Sequence, residues 1–290
     1  MNNPILRKAM ISMAILLIPG LALADVKISL KIRGGWAYFS GGDVNRGALS
    51  LFDWERTFWP ATQGGHRPVH SGYEIGGDII FKLNPTIGIG IGGGYLRTSR
   101  GSVMDVSDPE TGITGWLTTR PDLSATPIRL ALILDFPVSK KFNLSASIGG
   151  SCYLQARYRD NAEESTYVGN NMLVGWYAIR TRVEKKGVPL GFDGGVGIEY
   201  HLAPRIFLCF DVKGRYARLR GLEGSSAFSD EFNDILEWGK LYYESVPMLA
   251  GSARLTMVQT SPPAGPGGEP RQAVVDLSAI SLQAGIRIRL

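Results

Sequence analysis

The last eleven residues of the chain, Ile280 to Leu290, alternate between apolar and polar side chains without interruption. Successive side chains of a β-strand point to opposite faces, so this segment predicts a strand with one apolar and one polar face. The polar face carries Arg287 and Arg289. A strand of a soluble sandwich can have such a pattern, and a strand that separates lipid from a polar interior requires it.

The same alternation recurs along the chain and predicts eight strands in all. They cover approximately residues 26–38, 73–83, 87–95, 128–136, 142–158, 188–202, 206–216 and 280–290. In these windows the apolar rows contain no charged residue, whereas the polar rows contain ten Lys or Arg and six Asp or Glu. A charge on the lipid face of a membrane barrel costs roughly 2–4 kcal/mol at the midplane. That cost accounts for the uncharged rows and favours a membrane barrel over a sandwich.

Short and long connectors alternate strictly between these strands. The short connectors are residues 84–85, 137–141 and 203–205, and the long ones are approximately residues 41–71, 98–123, 159–187 and 217–277. In an up-and-down barrel, this order places all short turns at one rim and all long loops at the other. The sequence therefore predicts an all-β fold, an eight-stranded antiparallel up-and-down transmembrane β-barrel with short periplasmic turns and long extracellular loops.

Aromatic residues near the strand ends form two bands, as expected for side chains at the two membrane interfaces. The band at the short-turn rim contains Phe81, Phe136, Phe142 and Tyr200, and the band at the loop rim contains Trp36, Tyr38, Tyr73, Tyr95, Tyr158 and Tyr216.

The first 24 residues predict a cleavable signal peptide rather than part of the fold. Arg7 and Lys8 precede an apolar run, and the sequence Ala-Leu-Ala at 22–24 completes a cleavage site. Residues 25–290 then form one barrel domain that is exported to the cell outer membrane. Removal of the leader lowers the formal net charge from +5 to +3, which is too mild an excess to predict nucleic-acid binding.

With this order of strands, turns and loops, residues 26–290 resemble the small eight-stranded outer-membrane barrels of the OmpA, OmpX and OmpW kind. The resemblance implies that outer-membrane lipids surround the chain and that the barrel-assembly machinery reads its last strand. In those families the terminal residue is usually aromatic, whereas here it is Leu290.

The polar rows predict a charged barrel interior. The charges expected to line it are Glu74, Asp78, Lys82, Arg129, Asp135, Arg157, Asp193, Glu199, Asp211, Lys213, Arg215, Arg287 and Arg289. Eight strands leave an interior just wide enough for side chains to fill, and buried charges need partners. A plug of ion pairs gives a structural or surface-interaction role. A narrow pore, or a barrel that binds or transports a small molecule, is the alternative.

Five of the six tryptophans lie in the long connectors and are candidates for contact with an extracellular ligand or surface partner: Trp54, Trp59, Trp116, Trp176 and Trp238. The alternative is that they pack the loops into ordered caps or lengthen the hairpins above the membrane. In the last connector, Ser229 to Trp238 predicts a short capped helix, and Ser261 to Pro270 predicts a flexible linker.

Catalytic and metal-binding chemistry has weak support in the sequence. Some barrels of this size are lipid-modifying enzymes that use a loop-side His with Ser and an acid, and His66, His70, Ser107 and Asp108 lie in the long connectors. General-base catalysis requires a His within hydrogen-bond reach of the Ser, and no spacing indicates it. We therefore expect no enzyme activity, no catalytic residue, no cofactor and no metal site, and the two cysteines are expected to be unpaired.

Overall fold

The structure, a computed structural model, describes residues 27–169, 172–248, 251–262 and 271–290. The predicted signal peptide and residues 263–270 of the predicted linker lie outside the described residues. The elements in chain order are β1 (Lys27–Gly42), α1 (Asp43–Phe58), β2 (Ala61–Gly65), β3 (Ser71–Lys82), β4 (Ile87–Ser99), β5 (Ser102–Asp108), β6 (Ile113–Thr119), β7 (Asp122–Pro137), β8 (Phe142–Val168), β9 (Met172–Lys185), β10 (Leu190–Ala203), β11 (Ile206–Tyr216), β12 (Arg218–Leu219), β13 (Leu222–Asp230), β14 (Asp234–Met248), β15 (Gly251–Gln259), β16 (Arg271–Gln272) and β17 (Val275–Arg289).

Eight of these strands close into a ring. In the order β1, β3, β4, β7, β8, β10, β11 and β17, each strand pairs antiparallel with the next. The ring closes where β17 pairs with β1, from Ser29 opposite Arg289 to Gly42 opposite Val275. The predicted eight-stranded antiparallel barrel is therefore confirmed. No described helix is long and apolar enough to cross a membrane.

The exterior of the ring is an apolar belt. Outward side chains such as Ile32, Leu130, Phe192 and Ile280 are each more than half exposed, although they belong to residue types that soluble proteins bury. The polar row of each strand turns inward, as the alternation predicts. An apolar exterior around a charged interior is the reverse of a soluble protein and matches a barrel that faces lipid.

The three predicted tight turns join consecutive ring strands at one rim. Between β3 and β4, the side-chain oxygen of Asn84 accepts hydrogen bonds from the backbone N–H groups of Thr86 (2.9 Å) and Ile87 (2.7 Å). This local bonding by Asn stabilises a short reversal of the chain.

The long connectors form a second, folded layer above the other rim. Within it, β2, β5, β6, the distal half of β8, β9, β13, β14 and β15 pair side by side in that order. We call this layer the upper sheet. The hairpins are thus lengthened above the belt, which is one of the two arrangements that the sequence left open.

The upper sheet packs against α1, a helix that the sequence analysis missed. Its buried face includes Val44, Ala48, Leu51 and Phe52, and this spacing places them on one side of a helix. Leu51 and Phe52 join Met104 of β5, together with residues of β6, β9 and β15, in a buried cluster. The backbone N–H of Arg254 in β15 donates to the Ser50 hydroxyl at 2.8 Å.

The helix predicted from Ser229 to Trp238 is wrong. These residues form the hairpin between β13 and β14. The carboxylate of Asp230 accepts the backbone N–H groups of Phe232 (2.8 Å) and Asn233 (2.7 Å). An acidic residue that bonds the backbone two and three residues later occurs both at helix starts and in tight turns. Here the tight turn is formed.

The alternation in β8 slips by one residue at Gln155. Gln155 has a positive φ of 49°, and the pairing register with β7 shifts between Ser124 and Thr126. One extra residue is therefore inserted in β8, as in a β-bulge. The slip turns Tyr158 into the interior, where it is 1% exposed, so its assignment to the outer aromatic band is wrong.

The apolar belt predicts a large cost for a charge on the lipid face. The Leu130→Arg variant should lower the free energy of unfolding by roughly 2–4 kcal/mol, because Leu130 lies mid-strand on the exposed outer face. Urea unfolding in phospholipid vesicles, followed by tryptophan fluorescence, measures this change. Val138→Arg is the control, since Val138 is exposed in a short turn beyond the belt. An equal cost for both variants would contradict the lipid-facing assignment.

Candidate functional site: the charged barrel interior

Most of the charges predicted to line the barrel do lie inside it. Those that are less than 10% exposed are Glu74, Asp78, Lys82, Arg129, Asp135, Asp193, Glu199, Lys213, Arg215 and Arg287. Asp211 also points inward, and its side chain is 15% exposed. Each lies on the inward row of its strand, because a charge on the outward row would face hydrocarbon.

Three corrections to the predicted set follow from the structure. Arg157 does not line the interior, because the slip at Gln155 turns it outward, and it pairs with Glu184 at 3.6 Å. Arg289 lies half-buried at the rim, where its guanidinium stacks on the ring of Phe207 at 4.8 Å. Lys31 and Arg33 stand on the polar row of β1 and belong to the interior, but the predicted set omitted them.

On the short-turn side, six interior residues form a chain of ion pairs, which we call the lower cluster. Its members are Lys31, Lys82, Asp135, Glu199, Asp211 and Arg287. The Arg287 guanidinium lies 2.9 Å from Asp135 and 3.0 Å from Glu199. Lys82 approaches Asp135 to 2.6 Å. Three cations and three carboxylates leave the lower cluster formally neutral.

On the loop side, seven residues form the upper cluster: Arg33, Glu74, Asp78, Arg129, Asp193, Lys213 and Arg215. Arg129 bridges Asp193 at 2.9 Å and Asp78 at 3.5 Å. The hydroxyl of Ser151 donates to Asp193 at 2.6 Å. Four cations and three carboxylates give the upper cluster a formal charge of +1.

Little free space remains among these side chains. The cavity lined by residues of both clusters, among them Lys31, Asp78, Arg129 and Glu199, has a volume of about 30 Å³, and a second beside Glu74 and Arg129 has about 10 Å³. A cavity needs roughly 10–15 Å³ to hold one water. Each of these two cavities is therefore the size of one or two isolated water molecules.

Above the charges, the interior is apolar. Phe39, Leu96, Leu123, Tyr153 and Tyr158 are at most 1% exposed and belong to one buried cluster that extends into the upper sheet. The sequence analysis did not identify this core, because Phe39, Leu96 and Leu123 lie beyond the ends of the predicted strands and the slip at Gln155 reversed the face of Tyr158. The signal lay in the continuing alternation, for example Ala37 and Phe39 at the end of β1.

A buried glutamate lies higher still, on the inner side of α1. Glu55 is 1% exposed, and the indole N–H of Trp59 donates to its carboxylate at 2.9 Å. Burial, together with repulsion from the neighbouring Glu164 carboxylate, raises the pKa of Glu55 to about 8. No sequence pattern indicated this pair, since the two glutamates lie on different elements far apart in the chain.

The loop tryptophans have different environments. Trp54 and Trp59 pack against the cluster around α1, and Trp116 and Trp176 are half-buried in the upper sheet. Trp238 on β14 is 64% exposed. Four of the five thus pack the upper sheet, and Trp238 alone among these five presents its ring to the surroundings.

Two of the four candidate catalytic residues, His70 and Asp108, are engaged in contacts with other groups. The Nδ1 atom of His70 lies 2.6 Å from the backbone oxygen of Phe39, and the Asp108 carboxylate accepts the Thr111 hydroxyl at 2.6 Å. Neither ring nitrogen of His66 has a hydrogen-bond partner among the described residues. These contacts contain no His–Ser pair.

The described residues contain no group of three or more His, Cys, Asp or Glu that could hold a metal ion. Both cysteines are free, with Cys209 buried in the interior.

Removal of Arg287 should destabilise the barrel strongly. The Arg287→Leu variant leaves Asp135 and Glu199 buried without their shared guanidinium, and breaking a buried pair costs about 3–5 kcal/mol. Urea unfolding in detergent micelles measures this loss. Arg289→Leu removes a neighbouring cation that stacks on Phe207, and its cost should be about 1 kcal/mol. Similar losses for the two variants would be inconsistent with the paired interior.

The buried Glu55 predicts that stability falls as the pH rises. The folded state keeps the proton up to about pH 8, whereas the unfolded chain releases it near the ordinary glutamate pKa of 4.5. The folded state therefore binds more protons between these values, so the free energy of unfolding decreases across that window. Glu55→Gln should flatten this decrease and raise stability at pH 8, as measured by urea unfolding from pH 5 to 9. Glu110→Gln, which changes an exposed glutamate, should leave the profile unaltered, and a wild-type profile in the Glu55 variant would refute the assignment.

No protein-family model matches the chain, and no curated protein matches it either. Among solved structures, the chain is similar to Neisserial surface protein A, with 12% identity, 91% of this chain and 97% of that chain covered, and a TM-score of 0.36. It is also similar to OprG from Pseudomonas aeruginosa, with 12% identity, coverage of 90% and 95%, and a TM-score of 0.35. A major outer membrane protein from Thermus thermophilus matches with 13% identity, coverage of 91% and 99%, and a TM-score of 0.36. The fold assignment rests on the closed ring and its apolar belt: the chain is an eight-stranded β-barrel of the outer-membrane type.

Proposed function

We propose that the protein is an integral outer-membrane protein whose filled barrel anchors a folded extension at the cell surface, in a structural or surface-interaction role. The observation that carries this proposal is the filling of the interior. Two ion-pair clusters leave about 30 Å³ of free space, and an apolar core lies above them. A barrel filled in this way anchors the upper sheet and α1 above the membrane and does not conduct ions.

The length of the strands supports the role at the surface. A tilted membrane strand needs about 9–11 residues, whereas β8 has 27. Residues 155–168 of β8 continue beyond the bulge, and at about 3.3 Å per residue they span roughly 45 Å along the strand. The short turns lie at the other rim, which is the periplasmic rim in barrels of this kind. The extension then faces the cell exterior.

The hairpin between β13 and β14 offers a contact surface for a partner. Phe232 at its turn is 89% exposed, and Leu236 and Trp238 are exposed on one face of β14, whereas Ile235 lies on the opposite face. Contiguous apolar groups at a surface indicate interaction with another molecule. We propose that outer-membrane lipids surround the belt, that the barrel-assembly machinery inserts the chain, and that this hairpin contacts an extracellular partner.

The same contacts argue against the other functions. A narrow pore would need a continuous path through both clusters, and the free volumes there are the size of single water molecules. An enzyme with a His–Ser pair would need those residues in contact, whereas His70 is bound to the backbone of Phe39. We therefore propose a role that is neither catalytic nor transporting.

The proposal predicts electrical silence. The purified protein, reconstituted in a planar lipid bilayer, should produce no reproducible openings, because the ion pairs and the apolar core fill the barrel. A 16-stranded porin in the same bilayer is the positive control, since its strands enclose an aqueous channel. Stepwise openings of constant conductance from the wild-type protein would refute the filled barrel and establish the pore.

A further inference from the structure

A basic depression lies on the outer face of the upper sheet, away from the barrel interior. Its volume is about 850 Å³, and its charged lining consists of Arg157, Arg159, Arg182, Glu184, Lys186, Glu223 and Lys240. Five cations and two carboxylates give it a formal charge of +3. The exposed ring of Trp238 also lines it.

Strand register orders these side chains in two rows across β8, β9, β13 and β14. The first row is Arg157, Glu184, Glu223 and Lys240. Within the depression, Arg157 pairs with Glu184 at 3.6 Å and Lys186 with Glu223 at 2.9 Å. The two carboxylates are therefore already neutralised by cations of the chain.

The second row places two arginines directly opposite each other. Arg159 of β8 faces Arg182 of β9, followed by Ser225 and Trp238. On its other side Arg159 faces Asp122 of β7, whose carboxylate is bound by Arg97 at 2.9 Å. Among the described residues neither Arg159 nor Arg182 forms an ion pair within 4.0 Å. Like charges directly opposite in a sheet are destabilising, so an external anion between them would relieve the repulsion and accept charge-assisted hydrogen bonds from both.

The position of the depression indicates where that anion comes from. Lys186 follows the end of β9, and two residues later the exposed side chains of Val188, Leu190 and Phe192 begin the outer apolar belt of β10. The depression thus lies at the upper edge of the belt, at the level of the lipid headgroups. An exposed Trp238 is typical of this zone, because indole combines an apolar ring with a polar N–H.

We propose that this depression binds the phosphate-bearing headgroup of an outer-leaflet glycolipid, with Arg159 and Arg182 holding the phosphate. The net positive charge matches a phosphate, and the volume is in the range of sites that enclose a headgroup-sized ligand. The apolar belt directly below offers a surface for the acyl chains. This site rests on the proposed membrane embedding of the barrel.

Binding of diphosphoryl lipid A to the purified protein in dodecyl maltoside micelles tests the proposal, with native mass spectrometry as the readout. The Arg159→Gln/Arg182→Gln variant should bind lipid A about 30-fold more weakly, given the typical contribution of two cations near a phosphate-bearing surface. The matched control is Lys140→Gln/Lys141→Gln, which removes two exposed charges from the turn at the opposite rim. It should bind as the wild type does.

The lipid-free protein provides a second signature. The direct cross-strand neighbours of Arg182 are Arg159 and Ser225. Because Arg159 and Arg182 repel each other, Arg182→Gln should raise the midpoint of thermal unfolding in micelles without lipid A, while it weakens lipid A binding. A merely misfolded variant would lose stability, so the two readouts separate a binding defect from a folding defect.

Unchanged lipid A affinity in the double arginine variant, or an equal loss in the turn control, would overturn the site. Inorganic phosphate that competes with lipid A at equal concentration would overturn the assignment to a lipid and indicate a soluble anion. A protein that remains folded and dissolved without detergent would instead refute the membrane embedding, so failure of the site and failure of the proposed function are distinguishable.

Discussion

The structure depends on the pairing of charges in a space that excludes bulk water. Transfer of an unpaired charge out of water costs several kcal/mol, and the barrel interior contains seven cations and six carboxylates joined by ion pairs. The outward face cannot accept any of them, since it meets hydrocarbon. Each strand must therefore deliver its charges to the interior at heights that match those of strands across the barrel. A one-residue shift in the register of any ring strand would separate these pairs and turn its charges toward the lipid.

Above the belt, the distribution of apolar and charged side chains between inside and outside is reversed. There the outside is water, so apolar side chains turn inward and charged ones turn outward. Strand β8 passes through both regimes: Ser145 and Ser151 face inward below the bulge, whereas Ala156 and Tyr158 do so above it. The extra residue at Gln155 shifts the alternation by one position. Beyond it, the apolar side chains of β8 face inward and the charged ones face water. The lower and upper clusters are thus covered by an apolar core that extends into the upper sheet.

The contrast between the lipid-facing ring and the water-facing upper sheet explains which parts of the structure could be predicted from the sequence. Lipid outside and ion pairs inside impose strict alternation, so all eight ring strands and the three short turns could be predicted. The loop-side ends of β7, β8 and β17 were missed by five to ten residues, because the alternation changes its character above the belt. The ion pairs themselves could not be predicted, because the partners are distant in sequence: Lys31 and Asp211 are separated by 180 positions, and Asp135 and Arg287 by 152. The helix α1 was missed because its buried face includes the polar Asn45 and Glu55, which weakens the periodic apolar signal. Arg157 and Tyr158 were placed on the wrong faces because a single-residue slip reverses every assignment beyond it.

The arginines inside the barrel and those on the outer face of the upper sheet differ in the source of their counter-charge. In the interior, Arg129 and Arg287 each lie 2.9 Å from a carboxylate of the chain, because no other counter-ion can reach them. On the outer face, Arg159 and Arg182 lie opposite each other and remain exposed, although Glu184 lies on the adjacent row with its own partner. Two arginines that lie opposite each other beside a membrane can take their negative counter-charge from molecules around the protein. Because phosphates occupy that level of a lipid leaflet, the membrane that excludes charge from the belt can supply the counter-charge just above it.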